Sequence, residues 1–200
     1  MTGLAEAGKS GDIRAMSPVL ALRPHPEGCP GPLRTLSVTW ALHSEALALE
    51  YRLAGDSTRL AQLALPVAGA SGRQDGLWRH TCCELFVQGR DAPAYREFNF
   101  SPAGDWQTYD FRGYRDGGPW APAQAPGIGI DLASDGVTLR VRLPRSQLPP
   151  GRRLRLGLTA VIESVDGGLA YWALAHAPGP PDFHHPDTFT LSLDLPDPTP

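Results

Sequence analysis

The residue types most able to do chemistry lie near the middle of the chain, in two short runs that both carry acidic side chains. Glu84 lies in the first run, residues 82–88, and Glu97 and Asn99 lie in the second, residues 95–100. Carboxylate and amide groups held side by side can hydrogen-bond hydroxyl groups or ligate a hard metal ion. A pair of carboxyl groups is also the machinery of glycoside hydrolysis.

The two runs have the pattern of a β-hairpin whose loop is residues 89–94. Pairing of Gln88 with Tyr95 sets three further pairs: Phe86 with Glu97, Glu84 with Asn99, and Cys82 with Ser101. One face then carries Glu84, Phe86, Gln88, Tyr95, Glu97 and Asn99. The other carries Cys83, Leu85, Val87, Phe98 and Phe100, and is predicted to face the core.

A third strand is predicted to begin at Asp105 or Trp106. Of its two alternating sets, the one predicted to extend the polar face is Trp106, Thr108, Asp110 and Arg112. An aromatic ring beside carboxylates and amides suits a neutral polyol, because rings stack on the C–H face of a sugar. Trp106 and, farther along, Trp172 are the candidate stacking residues.

Catalysis is not predicted from the two glutamates. On this register Glu84 and Glu97 are diagonal neighbours on a flat sheet, and nothing in the sequence points to a raised pKa for either. Carboxylates placed in this way bind hydroxyls, Arg side chains or calcium. The chain also lacks a G-x-S-x-G elbow, a P-loop and a dinucleotide fingerprint.

Histidines provide the main alternative chemistry. His80, His176, His184 and His185 are candidate ligands for haem or a divalent metal ion, as a bis-histidine haem site or a zinc site completed by a carboxylate. The single internal Met, Met16, lies in the N-terminal tail, so Met–His ligation of haem is not expected. No tight metal motif is present, and no cofactor is predicted.

Most of the remaining chain shows period-two alternation of apolar residues over short runs. Runs of this kind are residues 36–41, 47–51, 139–143, 154–159 and 189–194, with Gly and Pro between them. The pattern predicts an all-β fold: a two-sheet antiparallel sandwich, jelly-roll or immunoglobulin-like, of about ten or eleven strands. One helical turn is expected, near Arg145–Leu148.

A single domain is predicted over residues 18–195, between a disordered tail at 1–17 and a short tail at 196–200. Met16 is a plausible alternative start. The chain shows neither a signal peptide nor a run of about 20 apolar residues, so a cytoplasmic location and no membrane partner are expected. Three cysteines, two of them adjacent, do not suggest a disulfide framework.

Nucleic acid is not an expected partner. The net charge is −3, and the six arginines within residues 140–155 fall partly on the polar phase of a strand, without interleaved aromatics. The oligomeric state is not indicated by the sequence.

Two blocks of the chain resemble the DOMON-like family, β-sandwiches related to the family 9 carbohydrate-binding modules. The first block comprises residues 77–82 (LWRHTC), 84–86 (ELF), 95–102 (YREFNFSP) and 104–106 (GDW). The second comprises residues 171–174 (YWAL), His176 and residues 181–185 (PDFHH). The resemblance implies a sandwich with a ligand site on or beside one sheet, and relatives bind carbohydrate or haem.

These observations predict a non-catalytic sandwich that binds a small ligand, with sugar ahead of haem and a protein-interaction sandwich as a further alternative. The predicted ligand-binding residues are Trp78, His80, Glu84, Glu97, Asn99, Trp106, Trp172, His176 and His184. The loop at residues 182–186 is expected to close over the same end of the fold as Trp78 and His80.

Overall fold

A computed structural model of the chain describes residues 17–29, 31–66 and 71–196. The tails predicted at 1–17 and 196–200, and the alternative start at Met16, lie outside the described residues except for Ser17 and Pro196. The described part consists mainly of strands, and its named strands pair antiparallel. The predicted all-β class is confirmed.

The back sheet has four strands, in the spatial order β2-β3-β9-β8. They are β2 (Thr35–Leu42), β3 (Ala46–Ala54), β8 (Gly127–Ala133) and β9 (Gly136–Pro144). Leu47, Leu49 and Tyr51 of β3 are buried, whereas the residues between them are partly exposed. The period-two pattern therefore correctly indicates which face of this sheet packs on the core.

The front sheet has the spatial order β7-β6-β5-β4-β10-β11, with β12 paired to the first half of β10. Its strands are β4 (Cys82–Gly89), β5 (Tyr95–Phe100), β6 (Trp106–Gly113), β7 (Asp116–Pro119), β10 (Arg153–Glu163), β11 (Leu169–Ala173) and β12 (Leu191–Asp194). All eight residues of β4 are buried, so this strand is covered on both faces.

Strand β1 (Leu20–Pro24) joins the two sheets at one edge. Its first half pairs with β2 and its second half with β11, so hydrogen bonding runs continuously through twelve strands of the described chain. The main core lies between the sheets, where Tyr51 of β3, Leu85 of β4 and Leu158 of β10 are fully buried. The Tyr51 hydroxyl donates a 2.7 Å hydrogen bond to the backbone carbonyl of Glu84, which ties the core to the front sheet.

The structure adds short elements that the sequence pattern missed. Strand β7 is Asp-Gly-Gly-Pro, which has no apolar alternation to detect. The expected turn near residue 145 is a 3-10 turn at Arg145–Gln147. A short helix, α1 (Ser57–Leu60), was not expected; its N-cap Asp56 accepts a 3.0 Å hydrogen bond from the Arg59 backbone.

The cysteines in the described chain, Cys29, Cys82 and Cys83, are all free thiols. Cys83 belongs to the main core, and Cys82 projects to the opposite face of β4, as adjacent strand residues must. Among the described residues, no helix combines the length and apolar character needed to cross a bilayer.

Candidate functional site

The outer face of the front sheet, the face turned away from the main core, carries the hairpin residues singled out in the sequence. Gln88 pairs with Tyr95, Phe86 with Glu97 and Glu84 with Asn99, so these three predicted pairs are confirmed. Glu84, Phe86, Tyr95, Glu97 and Asn99 therefore share one face.

The prediction of which alternating set of β6 residues lies on the outer face is wrong. Glu97 pairs with Tyr109 and Tyr95 with Phe111, so these two aromatic residues of β6 share the outer face. Trp106 pairs with Phe100 on the opposite side and packs in the main core. Because side chains alternate along a strand, shifting the phase by one residue moves the whole set to the other face. Trp106 is therefore a core residue and not a stacking surface for a ligand.

Trp172 of β11 is also a core residue. It pairs with Ala160 and belongs to the main core, where its Nε1 has no hydrogen-bond partner. Its neighbour Tyr171 pairs with Val161 and projects to the outer face. The aromatic residue that lines the pocket at this position is therefore Tyr171 and not Trp172.

A pocket of about 500 Å³ opens on the outer face. The aromatic side chains that line it are Trp78, Phe86, Tyr109, Phe111, Tyr171 and Phe183. The charged or titratable side chains that line it are Asp75, Glu84, Glu97, Arg115 and His184. Phe183 and His184 of the loop at 182–186 line the same pocket as Trp78, whereas His80, which was expected beside them, does not line it.

The aromatic walls are held by ring–ring contacts. Phe86 stacks on Phe189 with ring centroids 5.7 Å apart, and Tyr95 stacks on Phe111 at 4.7 Å. Trp78 meets Tyr109 edge-on at 6.2 Å and is 40 % exposed, so it forms the open rim of the pocket. Edge-to-face and offset-stacked pairs of this kind fix ring orientation.

Glu84 and Glu97 lie at the base of the pocket, exposed by only 2 % and 6 %. Oε2 of Glu84 accepts a 3.1 Å hydrogen bond from Thr159, and Oε1 of Glu97 accepts one of 2.7 Å from Nδ2 of Asn99. Burial, aided by the charge of Glu97, raises the pKa of Glu84 well above its usual range. Burial raises the pKa of Glu97 to about 7, against the opposing effect of the Asn99 hydrogen bond. The two glutamates are diagonal neighbours as predicted, but the expectation that neither has a raised pKa is wrong, because both are buried.

Asn99 is fully buried beside the two glutamates but is not among the residues that line the pocket. Its Nδ2 donates to Glu97, while its Oδ1 has no hydrogen-bond partner among the described residues. Asn99 therefore orients the Glu97 carboxyl without lining the pocket itself.

His184 enters the pocket from the loop before β12. Its Nδ1 lies 2.9 Å from the Tyr95 hydroxyl, and its Nε2 lies 3.7 Å from Oε2 of Glu97. Burial, aided by the positive charge of Arg115, lowers the pKa of His184 to about 4. The imidazole is therefore neutral near pH 7.

The loop that carries His184 is anchored to the β6–β7 turn. Nη2 of Arg115 lies 2.8 Å from Oδ1 of Asp182, and the Tyr114 hydroxyl donates to the other oxygen of the same carboxylate at 2.7 Å. Arg115 holds a left-handed backbone conformation with φ of 55°. On the opposite rim, the Tyr109 hydroxyl donates to Asp75.

The other predicted histidines lie outside the pocket. His80 contacts Glu163 at 2.8 Å, and Nε2 of His176 lies 2.8 Å from the backbone carbonyl of Arg23. His185 caps the 3-10 turn at Pro186–Thr188. Within the part of the chain that the structure describes, no three His, Cys, Asp or Glu side chains group as metal ligands. His80 and His176 are therefore not brought together with His184.

Several lining residues were not identified from the sequence: Asp75, Phe86, Tyr109, Phe111, Arg115, Tyr171 and Phe183. Phe86 was placed on the correct face without being assigned to the site. Tyr109 and Phe111 would have been identified if the opposite alternating set of β6 had been assigned to the outer face. The same holds for Tyr171 in β11. Asp75 and Arg115 carry no local signal, because loop and turn geometry brings them to the rim.

Comparison with known proteins supports the fold. No protein-family model matches the chain, and no curated protein matches it significantly. One similar solved structure is a Bacteroides uniformis protein to which carbohydrate binding has been attributed; identity is 16 %, coverage 90 % of this chain and 86 % of the other, and the TM-score 0.60. Another is a family 9 carbohydrate-binding module from Caldicellulosiruptor kristjanssonii in complex with cellotriose, with 13 % identity, coverage of 91 % and 84 %, and a TM-score of 0.54. The chain therefore shares the β-sandwich fold of these two proteins.

Proposed function

We propose that this protein is a non-catalytic carbohydrate-binding sandwich of the DOMON-like kind, and that it binds a sugar or related polyol in the pocket on the outer face of the front sheet. The observation that carries the proposal is the combination of aromatic walls with two buried carboxyl groups at the base. Ring faces bind the C–H surface of a sugar, and carboxyl oxygens accept hydrogen bonds from its hydroxyls.

The pocket has the size and position expected for a small-molecule site. Its volume of about 500 Å³ lies within the range of roughly 300–1,000 Å³ typical of ligand pockets. The structures that share the fold support the sugar class, since one of them is a module in complex with cellotriose.

The carboxyl pair supports binding rather than hydrolysis. Glycosidases need two carboxyl groups whose environments push their pKa values apart, one as acid and one as base or nucleophile. Here burial raises the pKa of both Glu84 and Glu97. Neither environment favours an ionised nucleophile, so the two groups are better suited to hydrogen bonding.

Histidine-ligated haem has less support from this geometry. His184 lies in the pocket, but both of its ring nitrogens face protein groups, Tyr95 and Glu97. His80 contacts Glu163, and His176 contacts the backbone carbonyl of Arg23, so neither imidazole lines the pocket.

Isothermal titration calorimetry of the full chain against glucose, cellotriose and a wider glycan panel tests the proposal. We expect saturable binding of at least one sugar, weakened about tenfold or more by Tyr171→Ala, since loss of a stacking ring costs roughly 1 kcal/mol or more. Absence of binding to every sugar tested would overturn the proposal.

The matched control is Arg142→Ala. Arg142 is an exposed residue in a groove on the outer face of the back sheet, which Thr39, Glu50 and Arg140 also line. We expect this variant to bind sugar like the wild type. Weakened binding in Arg142→Ala with normal binding in Tyr171→Ala would place the site on the back sheet instead.

A further inference from the structure

The interior of the pocket carries more carboxyl groups than basic groups. Glu84 and Glu97 line its base and Asp75 its rim, whereas Arg115 is the one arginine or lysine among the described lining residues. The Arg115 side chain is 53 % exposed and already pairs with Asp182 at 2.8 Å. His184, the remaining basic group, is neutral because burial lowers its pKa to about 4.

The two buried carboxyl groups retain acceptor capacity. The protein donates one hydrogen bond to Glu84, from Thr159, and one to Glu97, from Asn99. The second oxygen of Glu97, Oε2, lies 3.7 Å from Nε2 of His184, which is beyond hydrogen-bond distance. A carboxyl group has acceptor sites beyond the one that is filled here, in its protonated form as well as in its ionised form, so a ligand entering the pocket meets unfilled acceptors at its base.

The walls favour a cation as well. Phe86, Tyr109 and Phe111 line the pocket and are buried, whereas the Trp78 ring on the rim already has the Arg79 guanidinium 5.4 Å from its centroid. The face of an aromatic ring attracts positive charge, and this attraction strengthens where water is excluded. Both the base and the walls are therefore electrostatically complementary to an ammonium group.

We propose that the preferred ligand is an amino sugar, whose protonated amine is held by Glu97 and Glu84 between the aromatic walls. This inference rests on the proposed sugar-binding function and specifies its ligand class. A protonated amine stabilises the ionised form of the carboxyls, which burial otherwise disfavours, whereas a neutral sugar offers them hydroxyl donors alone. An anionic sugar would place a negative charge beside two buried carboxyls without supplying a cation, so we expect it to bind least well.

Titration calorimetry at pH 7 with glucosamine, glucose, N-acetylglucosamine and cellotriose tests the inference. Glucosamine and glucose differ at one ring position, and N-acetylation removes the charge while retaining the nitrogen. We expect glucosamine to bind about tenfold more tightly than the two uncharged monosaccharides, since charge-assisted hydrogen bonds are roughly twice as strong as neutral ones.

The Glu97→Gln variant tests where the amine is bound. Gln keeps an oxygen to accept from Asn99 but removes the charge, so we expect the preference for glucosamine to fall to about twofold or less. Retained glucose binding shows that the variant is folded. Glu50→Gln, a change to a carboxylate on the back sheet that pairs with Arg140, is the control and should keep the full preference.

The outcomes separate the two proposals. Equal affinity for glucosamine and glucose would overturn the amino-sugar inference and leave the sugar-binding function standing. A preference that persists in Glu97→Gln would also overturn it, because the amine would then be recognised elsewhere. Failure of all four ligands, and of the wider panel, would overturn the sugar-binding function and this inference with it.

Discussion

Tyr95 on β5 and His184 in the loop before β12 meet through a 2.9 Å contact between the Tyr95 hydroxyl and Nδ1 of His184. The same hydroxyl oxygen accepts a 3.0 Å hydrogen bond from the backbone N–H of Arg115. Because that oxygen accepts from Arg115, its hydrogen is available to Nδ1, which leaves the Nε2 proton of a neutral His184 facing Glu97. One hydroxyl thus links the β6–β7 turn to the loop over the pocket.

Tyr95→Phe removes this hydroxyl while keeping the ring stacked on Phe111. We expect a loss of about 1–3 kcal/mol in the free energy of unfolding, because a backbone N–H and an imidazole nitrogen lose their partner. Urea denaturation measures the change. Tyr114→Phe, which removes an exposed hydroxyl bound to Asp182, should change stability by less than about 0.5 kcal/mol. Equal losses in the two variants would contradict this reasoning.

Glu97 is expected to make stability depend on pH. Burial raises its pKa from 4.5 to about 7, so between these values the folded state holds a proton that the unfolded state has released. The contribution of Glu97 to the free energy of unfolding is therefore complete below pH 4.5 and is lost as pH rises through 7. The loss is about 3 kcal/mol, at 1.36 kcal/mol per pH unit.

Comparison with Glu97→Gln isolates this effect. His184 acts in the opposite direction, because burial lowers its pKa to about 4 and its contribution is lost as pH falls from 6.5 toward that value. Both proteins keep His184, so its effect largely cancels in the difference between them. From pH 4.5 to 8 we expect the stability of the variant relative to the wild type to rise by up to about 3 kcal/mol. A difference independent of pH in urea unfolding series would show that Glu97 has an ordinary pKa.

Two tryptophans should behave in opposite ways. Trp78, on the rim, should affect ligand binding more than folding, so Trp78→Ala should weaken sugar binding about tenfold and cost about 1 kcal/mol of stability or less. Trp106 lies in the main core and should affect stability more than ligand binding. Trp106→Ala should therefore lower the free energy of unfolding by about 3–5 kcal/mol. Calorimetric titration and thermal unfolding of both variants check this. If Trp106→Phe folds normally but loses sugar binding, the assignment of Trp106 to the core is wrong.

Gly157 of β10 leaves room for the stacked rings of Phe86 and Phe189. A Cβ atom at this position would lie 2.7 Å from Cδ1 of Phe189 and 3.4 Å from Cβ of Phe86. Gly157→Ala should therefore displace the Phe189 ring and cost about 1–3 kcal/mol, the usual range for overpacking.

Gly129→Ala is the control for that change. Gly129 is exposed on β8, and a Cβ there would meet nothing within 4 Å. Replacing a strand glycine at such a site should leave stability unchanged or raise it by about 0.5 kcal/mol. Thermal unfolding compares the two variants, and equal stability in both would show that Phe189 moves aside at little cost.

The register of β4 on β5 could be predicted from the sequence, whereas the phase of β6 could not. In the β4–β5 hairpin one alternating set is apolar except at Arg96, so only one register buries Leu85 and Phe98 together. In β6 both phases contain large aromatic residues, Trp106 in one and Tyr109 and Phe111 in the other. Alternation alone cannot predict which of these two sets faces the core. The orientation of β6 is decided by the packing of Trp106 in the core between the sheets.

The sequence by itself determined the all-β class, most of the strands, the hairpin register and the shared face of Glu84, Glu97 and Asn99, because these depend on local period-two patterns and short turns. Only the tertiary structure decided which aromatic residues line the pocket, how deeply the carboxyls are buried, and that His184 and Arg115 line the same pocket. These properties arise where segments distant along the chain converge: Tyr95 and His184 are 89 residues apart. Burial and pKa depend on that convergence, and no local pattern encodes it.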